Sequence, residues 1–326
     1  MLADRRPSPW LIPVGLSFAG IGVALAGIAP TYALIFAAIA LSGLGISAFH
    51  PEAARRVRYL SGSRQATTMS LFTVGGMAGF AIGPILITRV VNAYGIQGAI
   101  VLALPVLVMA LAVTFQLPRL AAAHANISSG TRNHAFVEGP EPWGDFIRLT
   151  IVVTLRSMVF FGLNTFIPLY WSHVLGGTTN GGGSALTTLL AAVTVGTLLG
   201  GQMADRFGRK IVIVVSLAAL TPIMLLFLSL HTFAAVAVML IPVGIALSAS
   251  NSVVVVMAQE YLPNRVGLAS GVTLGLSMTI GGLMMPLFGS IADHYGLTTA
   301  LMLLSMVPVL ACALSLTLHE PGTTPS

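Results

Sequence analysis

The sequence predicts an all-α polytopic membrane protein, and three observations carry that prediction. Only 7% of the 326 residues are charged while 56% are hydrophobic; soluble proteins carry about 25% charged residues, and a chain this poor in charge cannot cover a water-facing surface. Apolar runs of about 20 residues, enough for a helix to cross a ~30 Å hydrocarbon core, recur ten times along the chain. Residues at the ends of these runs recur at one fixed offset of 201 positions. The same composition excludes disordered, collagen-like, disulfide-framed and soluble α/β classes.

In order, the spans fall near 10–28, 31–49, 66–88, 96–117, 147–171, 184–203, 211–230, 232–258, 266–290 and 297–318. Each is expected to be helical, because an open strand edge leaves its backbone groups unsatisfied in lipid. The first, preceded by Arg5 and Arg6, has the look of a cleaved leader. Nine further spans and its place in the repeat argue against that. Sorting Lys and Arg into alternate loops puts Arg5, Arg6, Arg55, Arg56, Arg58, Arg64, Arg119, Arg132, Arg206, Arg209, Lys210 and Arg265 on one side and Arg89 on the other. The rich side is cytoplasmic, and an even number of spans places both termini there. The net charge of +6 is thus a topology signal and does not point to a nucleic-acid partner. Cys312 is alone in an apolar run, which leaves no disulfide or thiolate metal site to build.

The repeat pairs Asp4-Arg5 with Asp205-Arg206, Arg64 with Arg265, and Tyr94-Gly95 with Tyr295-Gly296; Tyr59-Leu60 and Tyr261-Leu262 agree with a slip of one. Parallel repeats of this kind characterise two-bundle secondary transporters. The expected organisation is an N-terminal bundle of four helices over 1–117, a polar cytoplasmic linker over 118–146 and a C-terminal bundle of six over 147–326. Two spans precede Asp205 in the second half and have no counterparts before Asp4, so the expectation is ten helices (4 + 6) of a twelve-helix plan, with a mis-called start or a genuine short form as the two explanations.

The sharpest local signal is Gly201-Gln202-Met203-Ala204-Asp205-Arg206-Phe207-Gly208-Arg209-Lys210. Asp205 falls at the C-terminal end of its helix, where the macrodipole disfavours an anion, so it needs a partner elsewhere. The N-terminus of span 266–290 starts on the same side, and Glu260 is placed to engage Arg206, Arg209 and Lys210. This cluster is expected to latch the cytoplasmic side in one state and open in the other. The segment resembles the G-x-L-x-D-R-x-G-R-K loop of the major facilitator superfamily. Asp4 and Arg5 look like its first copy, although Arg6-Pro7-Ser8-Pro9 replaces the G-R-K tail. A narrower resemblance, to the fosmidomycin-resistance branch of that superfamily, rests on Gly43 to Ala53 with its His50-Pro51-Glu52, together with Gly75-Gly76 and Gly83-Pro84. It implies an inner-membrane carrier of the drug or metabolite efflux type, proton-driven and acting on small molecules by alternating access, with no cofactor.

Other candidates follow from the residues themselves. Gly75, Gly79 and Gly83 line one helical face, suited to close approach by a neighbouring helix, and Pro84 then allows a bend; a gating helix is the alternative use. Arg156 is the one charge well inside a span, about 13 Å from its start at 1.5 Å per residue. Charges at that depth are costly and face a cavity or partner. Phe160, Leu163, Asn164 and Ile167 share its face, making Arg156 and Asn164 candidate solute contacts, with Asn251 as a further lining residue. His50 and Glu52 are the candidate proton relay, against a plainer reading in which Glu52 pairs with Arg55 or Arg56. No protease, hydrolase, paired-metal or P-loop motif is present, so no enzyme activity and no metal site is expected. The carrier is expected to work as a monomer in the lipid bilayer; the competing reading is a truncated, transport-inactive membrane fragment of such a carrier.

Overall fold

The computed structural model describes residues 8–62, 64–130 and 141–320. Helices α1 (Leu11–Ile28), α2 (Tyr32–Leu60) and α3 (Gln65–Tyr94) are followed by a 3-10 segment (Ile96–Leu102) running into α4 (Ala103–Gly130). Helix α5 (Trp143–Leu169) ends in a π-turn (Tyr170–Val174) and leads to α6 (Thr179–Phe207), α7 (Arg209–Leu228), α8 (Phe233–Ser248) and α9 (Asn251–Tyr261). The last segments are α10 (Val266–Gly271), a π-turn (Val272–Leu276), α11 (Ser277–Leu283), α12 (Met285–Tyr295) and α13 (Leu297–Leu316). Among the described residues nine helical stretches are long and apolar enough to cross a membrane. Helix α3, covering the predicted 66–88 span, is 30 residues long but is not one of those nine.

Three details differ from the sequence expectation. Helix α4 continues through Pro118 to Gly130, into the segment read as linker; the alanines at 121–123 favour helix strongly enough to carry the winding on. The span read as a continuous 232–258 is interrupted at Ala249 and Ser250, between α8 and α9. Span 266–290 is likewise built of short pieces around a π-turn.

The repeat survives in the local geometry. Gly95 and Gly296 both end their helices with positive φ, 70° and 89°, the left-handed region that glycine enters without a Cβ penalty. Each closes the same bond, Gly95 N to Val91 O at 2.8 Å and Gly296 N to Ala292 O at 2.9 Å, again 201 residues apart.

The chain divides into two compact units. Unit 1 comprises Met1–Gly62, Gly79–Pro140 and Pro263–Gly271; unit 2 comprises Ser63–Ala78, Glu141–Leu262 and Val272–Ser326. Each unit takes in a piece of the other half of the sequence, and the pieces overlap at the 201-residue offset: 63–78 maps onto 264–279, of which 264–271 belongs to unit 1.

In unit 1, α1 and α2 approach backbone to backbone. A Cβ on Gly15 would lie 2.6 Å from Gly45 O, and one on Gly45 would lie 2.4 Å from Gly15 O. An apolar cavity of about 410 Å³ in this unit is lined by Val23, Ala26, Ile39, Ile87 and Val91, with Ser42 the one side-chain hydroxyl. In unit 2, α6 packs on α8, while α13 packs on both α5 and α7. Its core includes Leu163, Leu189, Leu220, Leu240 and Leu304, all fully buried. Gly200 admits Ala249 so closely that a Cβ would sit 1.8 Å from the Ala249 carbonyl oxygen. Gly281 does the same for Ser157, at 2.6 Å from its Cβ. The predicted close-packing face of α3 is not used in this way: among the described residues nothing lies within 4 Å of a Cβ built on Gly75, Gly79 or Gly83. The small residues that seat neighbouring segments include glycines on α1, α2, α5, α6, α8 and α11 instead.

Candidate functional site

Two groups of polar residues stand out in unit 2, one at the end where α6 meets α7 and one in its interior. At the first, Asp205 occupies the last turn of α6, and its carboxylate accepts hydrogen bonds from the backbone N–H groups of Ala66 (3.1 Å) and Thr67 (2.8 Å) and from the Thr67 hydroxyl (2.7 Å). The aspartate therefore does find a helix N-terminus, but that of α3 and not the predicted 266–290. The physical demand was read correctly: first-turn amides have no partner in their own helix and an anion completes them. The partner differs because the offset partner of 266 is residue 65, and the exchange of 63–78 into unit 2 brings that start to Asp205.

Gly201 makes this docking sterically feasible. A Cβ there would lie 1.9 Å from Ser70 Oγ and 2.7 Å from Ala66 O. Ser70 is fully buried; its hydroxyl donates to Ala66 O at 2.8 Å and lies 2.7 Å from Ser252 Oγ.

The cations of the loop separate into different roles. Arg209 forms an ion pair with Glu260, as predicted. Lys210 contributes its backbone amide: the Glu320 carboxylate accepts from Arg209 N at 2.8 Å and Lys210 N at 3.1 Å, capping α7. Arg206 stacks over the Phe207 ring at 5.2 Å and has no ion pair among the described residues, so the expected pairing of Glu260 with every cation of the loop is not formed. The Tyr261 hydroxyl donates to His319 O, and His319 Nδ1 lies 3.2 Å from Asp145, which also pairs with Arg148 at 3.2 Å. Glu320 and His319 thus tie the end of the chain to α5, α7 and α9. Sequence reasoning missed both; the available signal was a carboxylate just past the last span on the cation-rich side. Asp4 and Arg5 lie outside the described residues.

Glu52, on α2 in unit 1, is 2% exposed and sits 3.6 Å from both Arg55 NH1 and Arg56 Nε, the plainer of its two predicted arrangements. His50 faces elsewhere, since two residues along a helix turn a side chain through about 200°. Its Nδ1 lies 3.2 Å from Ile46 O, and its ring meets Phe49 edge-on at 5.3 Å. His50 and Glu52 are thus engaged separately, one with its own helix backbone and the other with two arginines. Gly83 and Pro84 lie inside α3.

The interior group centres on Arg156. It is 5% exposed on α5, its Nε is sealed from solvent, and among the described residues it has no hydrogen-bond or ion-pair partner. Asn251 is buried at the first position of α9. Asn164 donates its side-chain amide to Phe160 O of its own helix at 2.8 Å. Among the described residues the Ser250 and Ser277 hydroxyls are buried without partners, one at the break between α8 and α9 and the other following the π-turn 272–276. Neither serine was singled out in the sequence. The Ser-Ala-Ser-Asn-Ser run at 248–252 was the available signal, because these residues compete with the helix backbone for hydrogen bonds. Interrupted helices with an uncompensated charge are where transporters place solute sites.

Comparison with known proteins agrees with this architecture. The sequence pattern of the Major Facilitator Superfamily matches residues 1–273 and, overlapping it, 149–326. The fosmidomycin resistance protein of Escherichia coli (strain K12) is 30% identical over 313 residues, covering 94% of this chain and 76% of that protein. An uncharacterised transporter of the same type from Bacillus subtilis (strain 168) is 29% identical over 316 residues with the same coverage. Among solved structures, a human organic anion transporter superposes with a TM-score of 0.75 at 15% identity, over 96% of this chain and 78% of that one. The Escherichia coli fucose:proton symporter superposes with a TM-score of 0.74 at 13% identity, over 98% and 86%. At these identities the structural likeness is one of fold.

Proposed function

Because the chain belongs to the major facilitator superfamily, we propose that this multi-pass membrane transporter is a secondary active exporter of drug-like or metabolite-like small molecules, driven by proton antiport. The observation that carries the reading is the match along nearly the whole chain to a relative named for fosmidomycin resistance. In this reading the chain works as a monomer in the bacterial inner membrane with both termini cytoplasmic. The bundles 1–117 and 147–326 alternate about the linker 118–146. The cytoplasmic cluster of Asp205, Arg209 and Glu260 is the latch that forms and breaks, with Arg206 beside it. Asp4 and Arg5 serve as the first-half counterpart, and Gly83 with Pro84 supplies flexibility in α3.

Arg156 is the principal solute contact, with Asn251 and the oxygen of Asn164 as secondary ones. An arginine at mid-span is expensive to keep, and a solute that pairs with it repays that cost only while bound. His50, half-buried on α2, and Glu52, once its two arginine partners release it, are the candidate proton relay.

The test is export in a susceptible bacterium lacking its own fosmidomycin exporter. Expression of the full chain is expected to raise the inhibitory concentration of fosmidomycin, and Arg156→Ala to return it to background at equal membrane abundance. Proteoliposomes should show saturable efflux that collapses when the pH gradient is dissipated. Gradient-independent, non-saturable leakage from folded protein would sink the carrier reading.

A further inference from the structure

We propose that the interior of unit 2 holds an oxyanion site built from Arg156, Ser250 and Ser277, so that the solute carries a carboxylate-, sulfate- or phosphate-like group. The inference rests on the reading of Arg156 as a solute contact and specifies what it contacts.

The first step is charge. Arg156 is always protonated, is 5% exposed and lacks a partner among the described residues. The carboxylates of unit 2 are committed elsewhere: Asp145 to Arg148 and His319, Asp205 to α3, Glu260 to Arg209, and Glu320 to the start of α7, while Glu141 precedes α5, fifteen residues short of Arg156, and has a partner of its own. Asp293 is exposed in the last turns of α12. The counter-charge for a buried guanidinium must then arrive with a ligand. A planar fork of five N–H donors fits a two-oxygen acceptor better than any other ligand group.

The second step is register. Tyr261 and Asp145 are joined through His319, which pins the C-terminus of α9 beside the N-terminus of α5. Arg156 lies eleven residues along α5 from Asp145, and Ser250 eleven residues back along α9 from Tyr261; each distance is about 16 Å of helix, so the two are level. Helix α9 packs against α5. Ser277 lies one turn before Gly281, whose Cβ position falls 2.6 Å from that of Ser157. Side chains on a helix lean toward its N-terminus, so the Arg156 head covers the turn below its own Cα, at the height of Ser277. Both serine hydroxyls are buried donors with no acceptor among the described residues, exposed 1% and 0%. The π-turn 272–276 immediately before Ser277 is a local irregularity of the kind retained at binding sites.

The test uses the full chain purified in detergent, with thermal unfolding measured against inorganic phosphate, sulfate and benzoate. Chloride at matched ionic strength, tetraphenylphosphonium and phosphatidylglycerol are the comparison arms. At least one of the three soluble anions is expected to stabilise the protein in a saturable way. Arg156→Gln should weaken that anion's apparent dissociation constant about tenfold or more, and Ser277→Ala about threefold. Should Arg156→Gln fail to fold, the double variant Ser250→Ala with Ser277→Ala carries the same comparison, with an expected loss of about tenfold. Equal stabilisation of parent and variants, or stabilisation by tetraphenylphosphonium alone, overturns the oxyanion site. A response to phosphatidylglycerol with none to the soluble anions assigns the site to a lipid headgroup and overturns the solute proposal. If the anions fail to bind while Arg156→Gln still abolishes export, the ligand class is wrong and the carrier reading stands. If they bind through Arg156 while Arg156→Gln exports normally, the site exists but the reading of Arg156 as a transport contact falls.

Discussion

Replacing Asp205 by Asn probes the proposed latch at its most specific point. The Asp205 carboxylate accepts the Ala66 and Thr67 amides at 3.1 and 2.8 Å, and these are first-turn donors with no acceptor inside α3. Amide exchange at the two positions therefore reports detachment of α3 from Asp205. A side-chain cap of this kind is worth about 0.5–2 kcal/mol, and Asp205 is solvent-exposed, which keeps the value near the middle of that range. Asparagine retains one oxygen acceptor but loses the charge and the second oxygen. A loss of about 1–1.5 kcal/mol corresponds to a roughly 5- to 12-fold rise in the detached population, since 1.4 kcal/mol is about a factor of 10. Hydrogen–deuterium exchange of a peptide covering 64–72 in lipid nanodiscs should show the Ala66 and Thr67 amides accelerated by that factor, with exchange in α13 unchanged. Thr67→Ala, which removes the 2.7 Å hydroxyl bond but neither amide, should give the smaller part of the effect. Unaltered exchange across 64–72 in Asp205→Asn would refute the cap and, with it, the latch built on it.

Three further outcomes follow from the packing. Gly201→Ala puts a methyl 2.7 Å from the Ala66 carbonyl oxygen and should cost about 1–3 kcal/mol, visible as the same loss of protection over 64–72 without any change of charge. Gly200→Ala meets the Ala249 carbonyl oxygen, just past α8, at 1.8 Å and should lower the midpoint of thermal unfolding of the whole protein, whereas Gly79→Ala, with no described atom within 4 Å of its Cβ, should leave it unchanged. Glu320→Gln removes the charge from the cap on α7 and should cost about 0.5–1 kcal/mol, read as faster exchange of the Arg209 and Lys210 amides; equal exchange in the two proteins would show that the end of the chain does not hold α7.

The gap between sequence and structure is clearest at Asp205. An aspartate at a helix C-terminus beside a cation-rich loop states a need for hydrogen-bond donors, and that need was legible from local rules alone. Which helix supplies the donors depends on how distant segments assemble, and the exchange of 63–78 into unit 2 leaves no mark on local periodicity. The glycines of α3 show the converse: a small-residue stripe permits close packing without requiring it, and the seams form at Gly15, Gly45 and Gly200 because residues there present matching backbone. Arg156 was conspicuous as a charge in an apolar run, but its lack of a partner among the described residues is a property of everything packed around it.

What the chain alone determined is what the bilayer imposes locally: helices of membrane-crossing length, and a duplication visible as one repeated spacing. These depend on transfer free energies that each segment of about 20 residues settles for itself. What only the tertiary structure decided is pairing: which helix start Asp205 holds, which carboxylates are consumed by neighbours, and which buried donors find no acceptor among the described residues. Pairing depends on three-dimensional proximity between residues more than a hundred positions apart, as with Asp205 and Thr67.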